Sequence, residues 1–485
     1  MRERSFNHSI TPCAPSLHMP NDSIAFEDVI VAYRDAIERQ PLQYVKTARN
    51  SLPGVEQHTY LLSSQNWSPE ALVQPAQWQH DVTLYVPPDA MRERALLVVN
   101  GGTRHDQSGE DAARPHDYAH DVLATIACET RTAVVVIHDV PNQNLVYTDD
   151  GRARAEDDSV AHSWALFLDE PVRRATLPLN VPMVAAISRA MSLAERELSA
   201  LGIRTFAISA VSKRAWASWL AVIADTRIDA IVAFAADILD TREVLNHMYR
   251  SYGGAWPIAF FPYFAEHIDE KIDTTQFDAL MQIVDPLRYL GTRHAQRLDV
   301  PKYIVNASGD DLFAPDNAGF YYDKLGGIKT LRMVPNASHH DIKDATHRSM
   351  TPFVNRLQNA VPLPSIDTTL SCEGRDALIR FGSSEPPKTL ALWSATNPHA
   401  RDFRLACGVR YSANPIAPTA DGTIDVPIRE PETGWSAFFI EATYADGFVA
   451  TSRTYILGKE TYPNSSPAKE NAACQTIPGR VSANA

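Results

Sequence analysis

The sequence predicts an α/β chain in which a mostly parallel sheet flanked by helices is followed by a small C-terminal β-sandwich. Three observations carry this. Between residues 80 and 361, continuous apolar runs alternate with helical stretches. Runs buried on both faces mark a parallel sheet covered by helices. After Leu363-Pro364-Ser365-Ile366-Asp367 the pattern changes to short strands divided by Gly, Pro and Asp turns, which suits a sandwich. The 485 residues also suffice for two or three cores, at roughly 100–200 residues per domain.

The elements follow in order. Residues 1–22 read as a loose arm, and 23–50 hold one helical pattern and then a polar stretch. Residues 55–67 are part strand. Residues 78–89 are a strand in which Val82, Leu84 and Val86 alternate with other residues until Pro87-Pro88 stops the run. Strands are then expected within 95–100, 130–142, 204–212, 227–237, 300–311 and 330–341. Helices are expected at 112–126, 181–202, 213–223, 241–250, 274–284 and 353–361. The second of these has Pro182 near its start and Gly202 past its end. Residues 23–361 therefore form one α/β domain with an N-terminal extension. Residues 367–458 form the sandwich, similar in texture to immunoglobulin or fibronectin modules and expected to supply no catalytic group. A polar, poorly ordered tail spans 459–485.

Composition excludes several functions. Lys plus Arg number 45 against 58 Asp plus Glu, a net charge of −13. With no Lys/Arg block, nothing favours nucleic acid or an anionic membrane surface. No apolar run reaches the length of a membrane span. The N-terminus has no apolar h-region, so a cytoplasmic location is expected. Cys13, Cys128, Cys372, Cys407 and Cys474 form no C-x-x-C. Free buried thiols are expected, with Cys372–Cys407 the one pairing considered. No histidine pair has the spacing of a metal motif, so no metal and no cofactor is expected. The oligomeric state is left open.

The chemistry is expected at three strand ends. In Thr205–Asp225 an apolar strand runs into Ser212, and a helix leaves from it at once. This strand–turn–helix context lifts a serine hydroxyl above a sheet. Ala210 and Ala215 keep the turn uncrowded, although G-x-S-x-G reads here Ala210-Val211-Ser212-Lys213-Arg214. A serine needs a base, and the base needs a carboxylate. Residues 303–317 offer Asp311 as the acid, with Asp310 and Asp316 as alternatives. Residues 333–343 offer His339 as the base, with His340 as the alternative. Backbone N–H groups of Gly102, Thr103, Arg104 and Lys213 are expected to form the oxyanion hole. His138, Trp256 and Tyr289 are candidate pocket residues, and His105 and Asp106 could hold the loop. Arg214 stands in the first helical turn, where the dipole disfavours a cation. Asp237 or Asp106 is the expected counter-ion.

The strings SSQNW (63–67), WQHDVTLYVP (78–87), VVNGG (98–102), SAVSKRAWASWL (209–220), IVDPLRY (283–289), VNASGDDLFAPDN (305–317) and VPNASHH (334–340) resemble the PhoPQ-activated pathogenicity-related protein family. The resemblance spans roughly residues 25–460. It implies an α/β-hydrolase domain with serine at Ser212, acid at Asp311 and histidine at His339. Family members usually have Gly where Ala210 and Ala215 stand. Related chains are also similar to fungal proteins linked with secondary metabolism, so the resemblance keeps polyketide-type esters or thioesters open.

The expected function is a serine hydrolase that cleaves an ester, thioester or amide through an acyl-enzyme, or releases the acyl chain as a lactone. Its expected partner is a small-molecule or carrier-bound acyl substrate. The alternative is a catalytically idle α/β-hydrolase scaffold that works by binding, motivated by the Ala210 and Arg214 departures.

Overall fold

A computed structural model describes residues 24–103, 117–373, 376–419, 423–467 and 472–480. The expected N-terminal arm, Arg104, His105, Asp106 and the first residues of the helix expected at 112–126 lie outside these residues.

The central sheet has nine strands. They are β1 (Gln43–Leu52), β2 (Val55–Asn66), β3 (Gln77–Val86), β4 (Arg94–Val99), β5 (Val134–Ile137), β6 (Thr205–Val211), β7 (Ile228–Phe234), β8 (Lys302–Ala307) and β9 (Lys329–Val334). The order is β1-β2-β3-β5-β4-β6-β7-β8-β9. The first three strands join antiparallel, and β5 through β9 run parallel. The exchange of β4 and β5 and the return through β6 give an α/β-hydrolase-like layout.

The apolar runs explain this sheet. Leu96 and Val98 face one core cluster while Leu97 and Val99 face another, and all four are fully buried. Neighbouring side chains on a strand point to opposite faces, so a run apolar at every position needs cover on both. Helices α1 (Val29–Glu38), α2 (His120–Thr130), α3 (Glu156–Asp169), α4 (Asn180–Glu197), α5 (Ser212–Ala224), α6 (Thr241–Ser251), α7 (Thr275–Val284) and α8 (Thr346–Gln358) follow the alternation. On one face α1, α4 and α5 supply the cover, and on the other α2 and α8.

The C-terminal region is β-rich, as expected. One sheet contains β10 (Ile366–Glu373), β11 (Asp376–Ser383) and β14 (Thr423–Arg429). The other contains β12 (Thr389–Asn397), β13 (Ser412–Ile416), β15 (Trp435–Thr443), β16 (Val449–Thr451) and β17 (Tyr455–Gly458). Phe381 and Val426 of the first share an apolar cluster with Phe438 and Ile440 of the second. Tyr303 of β8 joins this region to the central sheet, lying 5.8 Å from Phe353 of α8 and 4.7 Å from Phe448 between ring centroids.

Three local expectations are corrected. FRLACGVRY (403–411), one of the short strands read into the sandwich, is a loop with one 3-10 turn at Leu405–Cys407; Phe403 and Tyr411 enter a small core as anchors of that loop. The pairing partner of Cys407 is Cys474, not Cys372, with Cα atoms 4.9 Å apart. Cys372 stays exposed and free. The last described part of the tail is packed: Thr476–Pro478 pairs antiparallel with Ala255–Pro257. Arg480 pairs with Asp269. Among the described residues no helix is long and apolar enough to cross a membrane.

Candidate active site

Strand β6 carries the chain, fully buried over most of its length, to Ser212, and α5 leaves immediately. Ser212 has φ +56. That left-handed conformation costs a residue with a side chain about 1–3 kcal/mol unless its surroundings fix it. Here strand and helix fix it from both sides. Ala210 and Ala215 are fully buried, so methyl groups are the size this packing accepts.

The three strand ends converge. Ser212 Oγ lies 2.8 Å from His339 Nε2. His339 Nδ1 lies 2.8 Å from a carboxylate oxygen, and that oxygen is Oδ2 of Asp310. The carboxylate that meets the His339 ring is thus that of Asp310, one residue before the expected Asp311. Asp310 is buried, and its Oδ1 accepts the Leu312 and Phe313 backbone N–H groups at 2.8 and 3.1 Å. This turn aims Oδ2 at the imidazole. Asp311 faces the His339 backbone N–H; burial and the charge of Asp310 raise its pKa. Asp316 is taken by His247 at 2.9 Å and Arg401 at 2.6 Å. His340 is exposed beside His339. Burial disfavours the His339 imidazolium, but the charge and hydrogen bond of Asp310 outweigh it and hold the pKa above the ordinary histidine value.

The cations after Ser212 are answered by α3 and the Asp117 segment. Lys213 Nζ lies 2.7 Å from Glu156 and 3.1 Å from Asp157. Arg214 reaches Glu156 at 2.5 Å, Asp117 at 3.2 Å and the Val140 carbonyl at 2.6 Å. Burial opposes these charges. Arg214 and Lys213 nonetheless hold Glu156 well below the usual carboxylate range, and Asp157 and Glu156 hold Lys213 above its ordinary value. The expected Arg214 partner, Asp237, is thereby corrected. Asp237 receives the Tyr321 hydroxyl, and complete burial pushes its pKa to about 8, so it is neutral near pH 7 and no counter-ion. Asp106 lies outside the described residues.

Gly101 and Gly102 follow β4 at the same sheet end. A Cβ on Gly101 would sit 2.6 Å from the Arg214 guanidinium carbon, and Gly102 has φ +133 with Asp139 against it. The Gly102 conformation thus calls for glycine, and a side chain at Gly101 would have to displace the Arg214 guanidinium. Gln143 donates to the Gly102 carbonyl at 2.8 Å and to Glu156 at 2.9 Å. Arg104, expected in the oxyanion hole, lies outside the described residues.

Beside Ser212 opens a narrow, mostly apolar pocket of about 40 Å³. Its walls include Trp164, Trp216, Leu245, Met248, Phe260 and Phe313, with Asp157 and Lys213 the charged groups among the lining. The candidate pocket residues sit elsewhere. Trp256 is one layer behind, stacked on Phe260 at 4.4 Å. Tyr289 is core, its hydroxyl donating to the Ile283 carbonyl. His138 is buried near His120 and His80. Each looked like a pocket residue because an aromatic near a strand end is as often wall support as wall.

Outside the disulfide, Asp149, Asp150 and His162 bring ligand atoms within 4.8 Å of one another. Arg154 already occupies Asp150 at 2.6 Å, and Asp149 and Glu266 take the two nitrogens of His162. These donors are committed to one another.

Residues 30–404 match the family model described as PhoPQ-activated pathogenicity-related protein. Over 411 residues the chain is 30% identical to autocrine proliferation repressor protein A of Dictyostelium discoideum, which covers 79% of each chain. Among solved structures, an acetyl xylan esterase from Paenibacillus sp. R4 is similar with a TM-score of 0.46 and 14% identity, over 70% of this chain and 96% of that one. A glucuronoyl esterase from Solibacter usitatus gives 0.36 and 12%, over 66% and 91%.

Proposed function

The chain belongs to the PhoPQ-activated pathogenicity-related protein family, and we propose that it is a serine hydrolase that cleaves an ester or thioester of an uncharged, apolar acyl group through an acyl-enzyme. The observation that carries this is the unbroken line Ser212 Oγ, His339 Nε2, His339 Nδ1, Asp310 Oδ2, with both links at 2.8 Å. Ser212 attacks the carbonyl carbon, and His339 Nε2 takes its proton. Asp310 keeps the other proton on Nδ1 and stabilises the imidazolium. The Lys213 N–H, at the positive end of α5, and N–H groups of the Gly102–Thr103 turn receive the oxyanion. His339 then protonates the leaving group, and water repeats the cycle. An internal hydroxyl in place of water gives a lactone.

Which side of the bond fills the pocket follows from the proton path. The leaving group must lie beside His339, since His339 protonates it. The described pocket lining includes Ser212 but not His339, so the pocket takes the acyl side. Lys213 does not attract an anion there, because Glu156 and Asp157 neutralise it. With p-nitrophenyl esters, kcat/KM is expected to rise about four-fold per added acyl methylene, at ~0.8 kcal/mol for each buried CH₂, until the pocket is full. Met248→Trp is expected to move the optimum to shorter chains. An acetate ester hydrolysed faster than all longer ones would contradict the acyl assignment.

The test of the hydrolase reading is labelling with a fluorophosphonate and mapping of the adduct. Expected is one adduct, on Ser212, absent in Ser212→Ala; no adduct on the folded chain favours the idle scaffold. The pH profile is a second check. The base works only when neutral, so kcat/KM is expected to fall as pH drops through a His339 pKa that lies above about 6.5. Asp310→Asn removes the charge that raises it and leaves burial, so the acidic limb moves to lower pH. A limb that stays put would break the assignment of Asp310.

We read the two C-terminal sheets as a small sandwich, and the location of the protein from its disulfide. Such bonds persist in oxidising compartments, so Cys407–Cys474 favours one outside the reducing cytoplasm over the cytoplasmic expectation.

A further inference from the structure

The side-chain hydrogen bonds of Ser212, His339 and Asp310 all run to residues of the α/β region. Yet one loop of the C-terminal region, residues 401–411 between β12 and β13, reaches back to both loops that carry the acid and the base. The Leu405 N–H donates to the Gly309 carbonyl at 3.0 Å, one residue before Asp310. The approach is close enough that a Cβ on Gly309 would stand 2.7 Å from Leu405 Cβ and 2.8 Å from its nitrogen. The Gly309 N–H in turn donates to the Ala337 carbonyl at 3.0 Å, which ties the acid loop to the histidine loop. On that second loop, Asn336 Nδ2 donates to the Tyr411 carbonyl at 2.9 Å, and the Tyr411 N–H donates to Asn336 Oδ1 at 2.7 Å. At the other end Arg401 holds Asp316 at 2.6 Å and Ser251 at 2.7 Å.

The loop is itself pinned. Cys407, two residues after Leu405, is bonded to Cys474 of the tail. Arg404, buried against Asp402, donates to the Cys474 and Gln475 carbonyls at 3.1 and 3.0 Å. Beyond these, Thr476–Pro478 pairs with Ala255–Pro257, whose Trp256 backs Phe260 in the pocket wall. Two polar segments distant in sequence thus clamp the loop that aims Asp310.

We propose that residues 401–411, stapled to the tail by Cys407–Cys474, are a positioning element for the Asp310–His339 pair, so that the C-terminal region completes the active site. The proposal rests on the hydrolase reading. A loop held within hydrogen-bond range at Gly309 and Asn336 fixes the direction of Oδ2 toward His339 Nδ1, and a displacement of about 1 Å at such a pair can lower a rate by about 10²-fold.

The experiment compares the full chain with Cys407→Ser/Cys474→Ser and with Asn336→Gly. Asn336 already has φ +56, which glycine adopts freely, so the second variant removes the Tyr411 clamp with little demand on folding. Fluorophosphonate labelling rate, kcat, KM and the pH profile are measured on p-nitrophenyl hexanoate, with circular dichroism as the control for folding. Both variants are expected to lose kcat at least about 10-fold with KM changed less than three-fold. The acidic limb is expected to move to lower pH, as Asp310 drifts from His339. Among the described residues the other charges facing His339 are Asp311 from the acid loop, Lys213 from α5, Asp157 from α3 and His340 from its own loop; none of these lies on the clamp. A clamp that only stabilises the fold would lower the unfolding temperature and leave kcat and the profile unchanged, and that result overturns the proposal. If the double cysteine variant fails to fold, Asn336→Gly decides alone. A parent chain that neither labels nor turns over overturns the hydrolase reading and the proposal together, whereas equal labelling of parent and variants overturns the proposal alone.

Discussion

Asp310→Asn is expected to lower kcat/KM by about 10³–10⁴-fold, the scale on which loss of the orienting carboxylate acts in such relays, while Asp311→Asn is expected to lower it less than about ten-fold. The two residues are neighbours, so the contrast tests geometry and not local charge. Asparagine at 310 presents either an oxygen with no charge or an amide that forces the His339 ring into the wrong tautomer. Asparagine at 311 keeps a carbonyl oxygen for the His339 backbone N–H that Asp311 faces. Steady-state kinetics on one apolar ester suffices. The reverse order of effects would place the acid at Asp311 and mean that the hydrogen bond to Asp310 is not the working one.

That one-residue difference marks where the sequence stopped being legible. Two adjacent carboxylates at a strand end are equivalent in composition and spacing. They differ in which backbone N–H groups lie within reach, and the deciding ones belong to Leu312 and Phe313. The signal was an Asp two and three residues before a pair of apolar anchors. The parallel strands were legible because burial on both faces demands unbroken apolar runs, as in Leu96–Val99. Strand β1 was not, since it is an edge strand whose residues are nearly all exposed and follow no alternation; its partner β2 defines it. The tail reads as loose because it has little apolar area to bury. A disulfide, an ion pair and a short β-pairing hold it instead, and none of these has a local signature. Glu156 and Asp117 were missed as partners of Arg214 for the same reason: they approach from 58 and 97 residues away.

Arg214→Ala is expected to destabilise the α/β domain by about 2–4 kcal/mol. Breaking a buried ion pair costs ~3–5 kcal/mol, and a buried carbonyl left without its donor costs about 1–3 kcal/mol. Two facts pull the estimate down. Glu156 and Asp117 are 35% and 23% exposed as side chains, so water reaches what Arg214 leaves. Lys213 also stays on Glu156. One fact pulls it up: Arg214 itself is 5% exposed, and it fills the space that Gly101 leaves free, so its removal opens a gap beneath the Gly101–Gly102 turn. The Val140 carbonyl, which accepts from Arg214 at 2.6 Å, borders that gap. Chemistry should suffer with stability, because the Gly101–Gly102 turn proposed to receive the oxyanion loses its floor. Urea unfolding beside the parent is expected to show a lower midpoint with unchanged slope, and labelling of Ser212 is expected to slow. Arg214→Lys, which keeps the charge but not the three-way fork, should recover part of the stability and less of the labelling rate. An unchanged midpoint and labelling rate in Arg214→Ala would mean that the guanidinium braces nothing, and that the dipole at the start of α5 tolerates it without help.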